Sequence, residues 1–169
     1  DDYIDLPTSV HPPSETKQLS ISFWSYGDDK LDSSSRTSIL ESGTAQRRAL
    51  NIHFPYNSRL YWHAGYDNSV DNINKPFENP DGQWDYWTFQ KDVDAGTMSV
   101  FRNGIKWHEG FNTTRPMGGD VEIFRVGASR NGGNRWSGLM DELRIRLTLE
   151  TEDSIQASYE SQRPDSNFT

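Results

Sequence analysis

Short stretches in which apolar and polar residues alternate dominate the chain. Residues 19–26 set Leu, Ile and Phe against Ser, Ser and Trp, and residues 49–54 and 59–64 repeat this two-residue period. Such a period is typical of a β-strand with one buried face. Further strands are predicted at 37–42, 84–91, 97–102, 105–108, 121–127 and 137–147. One short helix is predicted at 152–160, beginning near Thr151 or Ser154.

The dipeptide Asn103-Gly104 is the clearest turn signal in the chain. Asn-Gly favours a type I′ turn, in which both central residues have positive φ and the flanking strands pair antiparallel. About ten short strands, joined by hairpins and followed by one short C-terminal helix, predict an all-β, two-sheet antiparallel sandwich of the jelly-roll kind. We expect a single domain over residues 1–162 and a C-terminal tail or linker over 163–169.

The strands at 49–54 and 59–64 are joined by a Pro-Tyr-Asn-Ser turn signal. The apolar residues of both strands face the same side only if the residue numbers of each cross-strand pair add up to an even number. A register in which 51 pairs with 63, and 53 with 61, meets this condition. The opposite face then carries Asn51, His53, Tyr61 and His63. This face is either an accessible polar-aromatic floor or a surface covered by a loop and hydrogen-bonded internally.

Residues 65–82 show no apolar period and are rich in Asn, Asp and Pro, so we expect a long loop here. Long loops in compact domains are usually functional or mobile. Aromatic rings stack on sugars, and amides, carboxylates and guanidinium groups hydrogen-bond sugar hydroxyls. Trp107 can instead belong to the core, and Trp136 can be a plug beneath its loop. The candidate ligand-binding residues are Asn51, His53, Tyr61, His63, Tyr66, Asp71, Asn72, Trp107, Arg115 and Trp136.

The charge of the chain excludes some classes of partner. It has 25 acidic and 17 basic residues, a formal net charge of −8 that repels nucleic-acid phosphates and anionic lipids. No apolar run approaches the roughly 20 residues of a transmembrane helix. We therefore expect no nucleic-acid partner and no membrane insertion, and neutral glycans rather than strongly acidic ones. The chain has no Cys, which rules out disulfides, thiolate zinc sites and a cysteine nucleophile.

Three stretches carry a resemblance to a known family. The first is Ile-Ser-Phe-Trp at 21–24. The second combines Trp-Thr-Phe at 87–89 with residues 98–104, which end in Phe-Arg-Asn-Gly. The third combines Phe-Arg-Val-Gly at 124–127 with residues 136–145, which contain Asp-Glu-Leu-Arg-Ile. In this order they resemble the laminin-G-like, concanavalin A-like lectin/glucanase domains of secreted bacterial proteins. The resemblance extends roughly from Asp2 to Gln162, and Phe101 stands where that family usually has Tyr.

The resemblance implies an extracellular or cell-surface location, glycan or protein partners, and frequent calcium. Glucanases of the family carry a Glu-x-Asp-x-Glu strand, which sets its carboxylates on one face, and this chain has no such triplet. We interpret the sequence as a non-catalytic, lectin-like module that binds a polysaccharide or oligosaccharide within a larger multidomain protein. The alternatives are an adhesion module that binds a protein and a small glycan-active hydrolase or lyase.

Structural calcium would have to be bound by loops distant in sequence, because no EF-hand spacing is present. Alternation also sets Asp141 in register with Leu139 and Leu143, on an apolar face. A carboxylate buried there must be hydrogen-bonded, paired with a cation or bound to a metal. The candidate metal ligands are Asp28, Asp29, Asp67, Asp71 and Asp141.

Overall fold

The computed structural model describes residues 2–28, 31–32, 34–65, 70–77, 82–117 and 119–163. In chain order its strands are β1 (Ile4–Asp5), β2 (Gln18–Gly27), β3 (Leu40–Gly43), β4 (Arg48–His53), β5 (Arg59–Ala64), β6 (Asp71–Pro76), β7 (Trp84–Asp92), β8 (Thr97–Arg102), β9 (Ile105–Phe111), β10 (Ile123–Val126) and β11 (Gly138–Arg146). A 3₁₀ turn (Thr8–Val10) follows β1, and helix α1 (Glu152–Gln162) follows β11.

The strands form two antiparallel sheets. The six-stranded sheet has the order β1-β10-β3-β4-β5-β6, and the five-stranded sheet has the order β11-β2-β7-β8-β9. This confirms the two-sheet antiparallel sandwich. The predicted helix is also present, and its N-cap is Thr151, whose hydroxyl accepts the backbone N–H of Ser154 at 3.2 Å. Among the described residues, no helix has the length and apolar character needed to cross a membrane.

The main core lies between the two sheets and is rich in aromatic rings. Phe54 at the end of β4 packs against Trp87 of β7, with ring centroids 4.9 Å apart. Trp62 of β5 is fully buried and lies 5.8 Å from Phe89. Trp136 is 6% exposed and packs on Phe54, so it fills the space beneath its loop as a plug.

A second apolar cluster covers the outer face of the five-stranded sheet. Alternation along β2 points Phe23 into the main core and Trp24 to the opposite face. Trp24 packs there against Tyr86 of β7 and Tyr159 of α1, at 5.2 and 5.8 Å between ring centroids. Since α1 lies on this sheet, it leaves the outer face of the six-stranded sheet to loops and solvent.

The predicted turns and register hold. Asn103 and Gly104 have φ of 52° and 81°, as a type I′ turn requires. In the β4–β5 hairpin, Asn51 pairs with His63 and His53 with Tyr61. Both strands therefore turn their apolar residues and Trp62 to the core, whereas Asn51, His53, Tyr61 and His63 lie on the outer face.

The prediction of a structureless loop over residues 65–82 is wrong. The chain forms β6 within this range, and β6 pairs with β5 along its whole length at the edge of the six-stranded sheet. The apolar period is missing because only one of its inward positions, Ile73, is an apolar residue, whereas Asp71 is buried in an ion pair. The short strand β1 was likewise not predicted, since two residues cannot show a period.

The predicted burial of Asp141 is also wrong. A β-bulge lies between Asp141 and Arg144, and Glu142 within it has a φ of 55°. The extra residue reverses the alternation, so Asp141 shares the outer face with Trp24, its partner in β2, and is exposed. Leu139 is on the same face and is 59% exposed.

The exposed position of Asp141 means that its side chain contributes little to stability. We expect Asp141→Ala to change the free energy of unfolding by less than about 1 kcal/mol, because an exposed carboxylate leaves no buried partner unsatisfied. Urea denaturation of the variant and the parent measures the difference. A loss of about 3 kcal/mol would mean that Asp141 is part of a buried polar pair after all.

Candidate functional site

The outer face of the six-stranded sheet carries two rows of polar and aromatic side chains. These rows cross β4, β5 and β6, because cross-strand partners in an antiparallel sheet point to the same side. One row consists of Asn51, His63 and Asn72, and the other of His53, Tyr61 and Asn74.

The β4 end of these rows is covered and bonded internally. Asn51 is fully buried, and its Nδ2 donates to Ser38 Oγ at 3.1 Å. His53 is 3% exposed, with its Nδ1 2.9 Å from the carbonyl oxygen of Thr37. Glu41 of β3, the cross-strand partner of Asn51, accepts a hydrogen bond from Arg48 Nε at 3.0 Å. Asn51, His53 and Glu41 are therefore buried parts of the sheet. The accessible side chains of this face are those of β5 and β6.

An aromatic group remains accessible over β5. Tyr61 and His63 stack with an interplanar angle of 22° and 5.8 Å between centroids. Tyr56, in the turn between β4 and β5, meets the edge of this stack at 5.9 Å from Tyr61. All three side chains are partly exposed. The group offers both ring faces and ring edges to a ligand.

A chain of hydrogen bonds along β6 borders the aromatic group. Arg59 Nε donates to Asn74 Oδ1 at 2.8 Å, and Asn74 Nδ2 donates to Asn72 Oδ1 at 2.9 Å. Asn72 Nδ2 then lies 2.9 Å from His63 Nε2. These bonds hold both amides in fixed orientations beside the rings. We call this surface the β5–β6 face, made up of Tyr56, Arg59, Tyr61, His63, Asn72 and Asn74.

The two histidines of these rows are neutral at pH 7. Burial lowers the pKa of His53 to about 4, although its hydrogen bond to Thr37 acts in the opposite direction. Burial, together with the nearby charge of Arg48, lowers the pKa of His63 to about 3. A neutral imidazole has one donor and one acceptor nitrogen. Because Nε2 accepts the amide N–H of Asn72, the Nδ1–H of His63 is left to donate to a hydroxyl group.

Two further candidates lie at the start of β6 in an ion-pair network. Asp71 is 8% exposed, and its Oδ2 accepts Lys91 Nζ and the backbone N–H of Arg115, each at 2.8 Å. Arg115 Nε lies 3.3 Å from Asp71 Oδ1. Burial lowers the pKa of Lys91, and the bond to Asp71 opposes that shift. Asp71 is therefore paired with two cations, Lys91 and Arg115, on the inward side of β6, and neither Asp71 nor Arg115 is brought to the β5–β6 face.

The remaining candidates are not brought to this face. Trp107 packs against Trp87 at 5.9 Å, with Lys75 Nζ 4.5 Å above its ring, at the edge where β6 meets β9. Trp136 is in the main core. Tyr66 lies outside the described residues, as do Asp29 and Asp67 of the metal candidates.

Three residues of the face were not predicted from the sequence. Tyr56 belongs to the turn between β4 and β5, and Arg59 is the first residue of β5. Asn74 belongs to β6, in the range where the sequence predicts a loop. A signal for Asn74 did exist. Asn72 and Asn74 are two residues apart, which in a strand sets both amides on one face.

The described part of the chain contains no group of three or more His, Asp or Glu side chains placed to hold a metal ion. Asp28 Oδ2 accepts the hydroxyl of Ser137 at 2.6 Å. Asp141 Oδ1 accepts the backbone N–H of Glu142 at 2.8 Å. These two candidate carboxylates and Asp71 lie in separate surroundings and do not converge on one site.

Comparison with known proteins identifies a family and a set of similar folds. The profile of a family described as the Concanavalin A-like lectin/glucanases superfamily matches residues 1–156. No curated protein matches the chain in sequence.

Similar solved structures include three binding domains of botulinum neurotoxins. The receptor binding domain of botulinum neurotoxin D is 16% identical, with a TM-score of 0.71 over 95% of this chain and 41% of that one. The binding domain of neurotoxin DC, in complex with rat synaptotagmin II, is 13% identical, with a TM-score of 0.71 over 96% of this chain and 40% of that one. The serotype D ligand binding domain, in complex with N-acetylneuraminic acid, is 15% identical, with a TM-score of 0.70 over 95% of this chain and 39% of that one.

At these identities the likeness concerns the fold alone. The chain spans about two fifths of the length of each of these structures.

Proposed function

Because the chain belongs to the concanavalin A-like lectin/glucanase superfamily, we propose that it is a non-catalytic carbohydrate-binding module with its site on the β5–β6 face. The observation that carries this proposal is the accessible Tyr61–His63 stack beside the hydrogen-bonded amides of Asn72 and Asn74. We further propose that the module acts outside the cell, as part of a larger protein.

The face suits a sugar for chemical reasons. A pyranose ring has an apolar face of C–H groups that packs on an aromatic ring, and its equatorial hydroxyls need donors and acceptors at the rim. Tyr61 and Tyr56 would supply the packing surface. Asn72 and Asn74 would supply the polar rim, already oriented by their bonds to His63 and Arg59, so binding costs little side-chain entropy.

The charges around the face support a binding role without catalysis. Glycoside hydrolysis generally needs two carboxyl groups about 5 to 9.5 Å apart across the scissile bond. Glu41, in the same row of the sheet as His63, is 1% exposed and paired with Arg48 and Arg130. A carboxylate held in this way is not available to a sugar.

Two arginines at the β5–β6 face widen the range of sugars that we expect to bind. Arg59 is part of the face, and Arg36 lies over Tyr56 at 5.7 Å from its ring centroid. Both guanidinium groups are positive on a protein with a net charge of −8. Although the net charge favours neutral glycans, a carboxylate-bearing sugar could pair with either arginine. The neurotoxin domain that holds N-acetylneuraminic acid is a precedent for such a ligand on this fold.

We expect Tyr61→Ala to weaken glycan binding by roughly tenfold or more, because removing a stacked ring costs about 1.4 kcal/mol or more. A glycan array first identifies a ligand, and titration calorimetry then compares the parent with the variant. Phe111→Ala is the matched control, since Phe111 is 66% exposed on β9 of the other sheet. The control should bind as the parent does, and neither variant should lose much stability.

Several outcomes would contradict the proposal. Equal affinity of Tyr61→Ala, Asn72→Ala and the parent would move the site away from this face. Release of reducing ends from the bound polysaccharide would mean a glycan-active enzyme. Capture of a protein partner that free sugar does not displace would favour the adhesion alternative, for which the complex of the DC neurotoxin domain with synaptotagmin II is a precedent.

A further inference from the structure

We propose that a second site, on the five-stranded sheet, binds an organic ammonium ion. A cleft of about 310 Å³ opens there, and we call it the Trp84 cleft. This volume is at the lower end of small-molecule sites, which measure roughly 300 to 1,000 Å³. The cleft is lined by Trp24, Trp84, Asp141, Glu142 and Gln162.

Cross-strand pairing builds the aromatic wall of the cleft. Trp24 of β2 pairs with Asp141 of β11 on one side and with Tyr86 of β7 on the other. Trp24 Nε1 donates to Gln162 Oε1 at 2.9 Å, which fixes the indole against the end of α1. Trp84 is only partly buried, and its ring lies 5.6 Å from that of Tyr26. Trp24 is therefore held in place and is only 6% exposed, so Trp84 supplies most of the accessible indole surface of the cleft.

The bulge in β11 supplies the polar wall. In a regular strand Asp141 and Glu142 would point to opposite faces, but the left-handed conformation of Glu142 brings both residues to the cleft. Glu142 pairs with Arg144, and Arg163 pairs with Glu160 at 2.8 Å. The nearby basic side chains are thus already compensated, and Asp141 adds a net negative charge.

Three features of the Trp84 cleft favour a cation. The faces of indole rings carry negative potential, which attracts a cation within about 6 Å of the ring centroid. Asp141 provides a formal charge. Gln162 is the last residue of α1, where the helix dipole is negative. An alkylated ammonium is weakly hydrated and has an apolar surface, so it suits the partly exposed ring of Trp84 and the accessible edge of Trp24 better than a metal ion does.

The proposal is tested with tetramethylammonium chloride as the probe and tert-butyl alcohol as an uncharged molecule of similar shape. In ¹H–¹⁵N spectra of the intact chain, the indole N–H signals are assigned with Trp24→Phe and Trp84→Phe. We expect tetramethylammonium to shift the Trp24 and Trp84 signals in a saturable way, at constant ionic strength. We expect tert-butyl alcohol to leave them unchanged.

Variants separate a local site from general attraction to an acidic protein. Asp141→Asn should weaken tetramethylammonium binding about fivefold or more. Asp120→Asn is the control, since it removes the same charge from an exposed position outside the cleft. Equal weakening by both variants, equal shifts with tert-butyl alcohol, or no saturable shift would each overturn the proposal. Glycan binding should be the same in Asp141→Asn as in the parent, so this site and the β5–β6 face can fail independently.

Discussion

Replacing Asp71 by Ala is expected to lower the free energy of unfolding by about 3 to 5 kcal/mol. Lys91 points inward from β7, is fully buried, and reaches across to the six-stranded sheet. Its Nζ donates to Asp71 Oδ2 and to the carbonyl oxygen of Ala64, each at 2.8 Å. Removing the carboxylate leaves a buried ammonium group without its counterion, and that is the costly step.

Chemical denaturation with urea measures this loss. Asp94→Ala is the control, because Asp94 pairs with Lys17 on the surface, where both side chains are at least 60% exposed. Such a pair contributes less than about 1 kcal/mol. The double variant Lys91→Met/Asp71→Leu should recover much of the stability, since it removes both charges together. If Asp71→Ala is no more costly than Asp94→Ala, the pair does not hold the two sheets together.

Lowering the pH from 6.5 to 4 is expected to destabilise the fold by several kcal/mol. Burial lowers the pKa of both His11 and His53 to about 4, against 6.5 for an unperturbed histidine. In this pH window the unfolded chain binds more protons than the folded one, so stability falls as the pH falls. Each pKa unit corresponds to about 1.4 kcal/mol, which gives roughly 3 kcal/mol for each histidine. Above pH 6.5 these two groups contribute no pH dependence.

Urea denaturation at a series of pH values measures this slope. His11 packs edge-on against Phe124 at 5.6 Å, and its Nε2 has no hydrogen-bond partner among the described residues, so His11→Gln removes the titration with few lost contacts. Together with His53→Gln it should remove most of the contribution of these two residues between pH 6.5 and 4, whereas His63, whose pKa burial also lowers, keeps its own part of the slope. His108→Gln is the control, because His108 is more exposed and should leave most of the slope in place. An unchanged slope in the double variant would mean that neither His11 nor His53 controls acid stability, which would then depend on His63 and the carboxylates.

Local sequence signals account for most of the fold. The alternation of apolar and polar residues predicted the long strands. The dipeptide Asn103-Gly104 predicted a hairpin turn, and Thr151 predicted the start of α1; the structure has both. These features depend on neighbours within a few residues, which is why a sequence alone can reveal them. The bulge at Glu142 depends instead on pairing with β2, and a single extra residue was enough to reverse the predicted orientation of Asp141.

The candidate site was only half predictable, for a related reason. The predicted register pairs Asn51 with His63 and His53 with Tyr61, and it correctly placed these four residues on one face. A ligand can reach a residue of this face only if no other segment of the chain covers it. Residues 37–41, which lie beside β4, cover Asn51 and His53. Edge strand β6 was missed because its inward Asp71 is stabilised by partners distant in sequence, Lys91 20 residues away and Arg115 44 residues away.

The most direct test of the proposed binding face is a crystal structure of the chain with a glycan identified on an array. We expect a sugar ring packed on Tyr61 or Tyr56, with its hydroxyls bonded to Asn72 and Asn74. A sugar bound instead in the loop between β10 and β11, or in the Trp84 cleft, with the β5–β6 face empty, would contradict it.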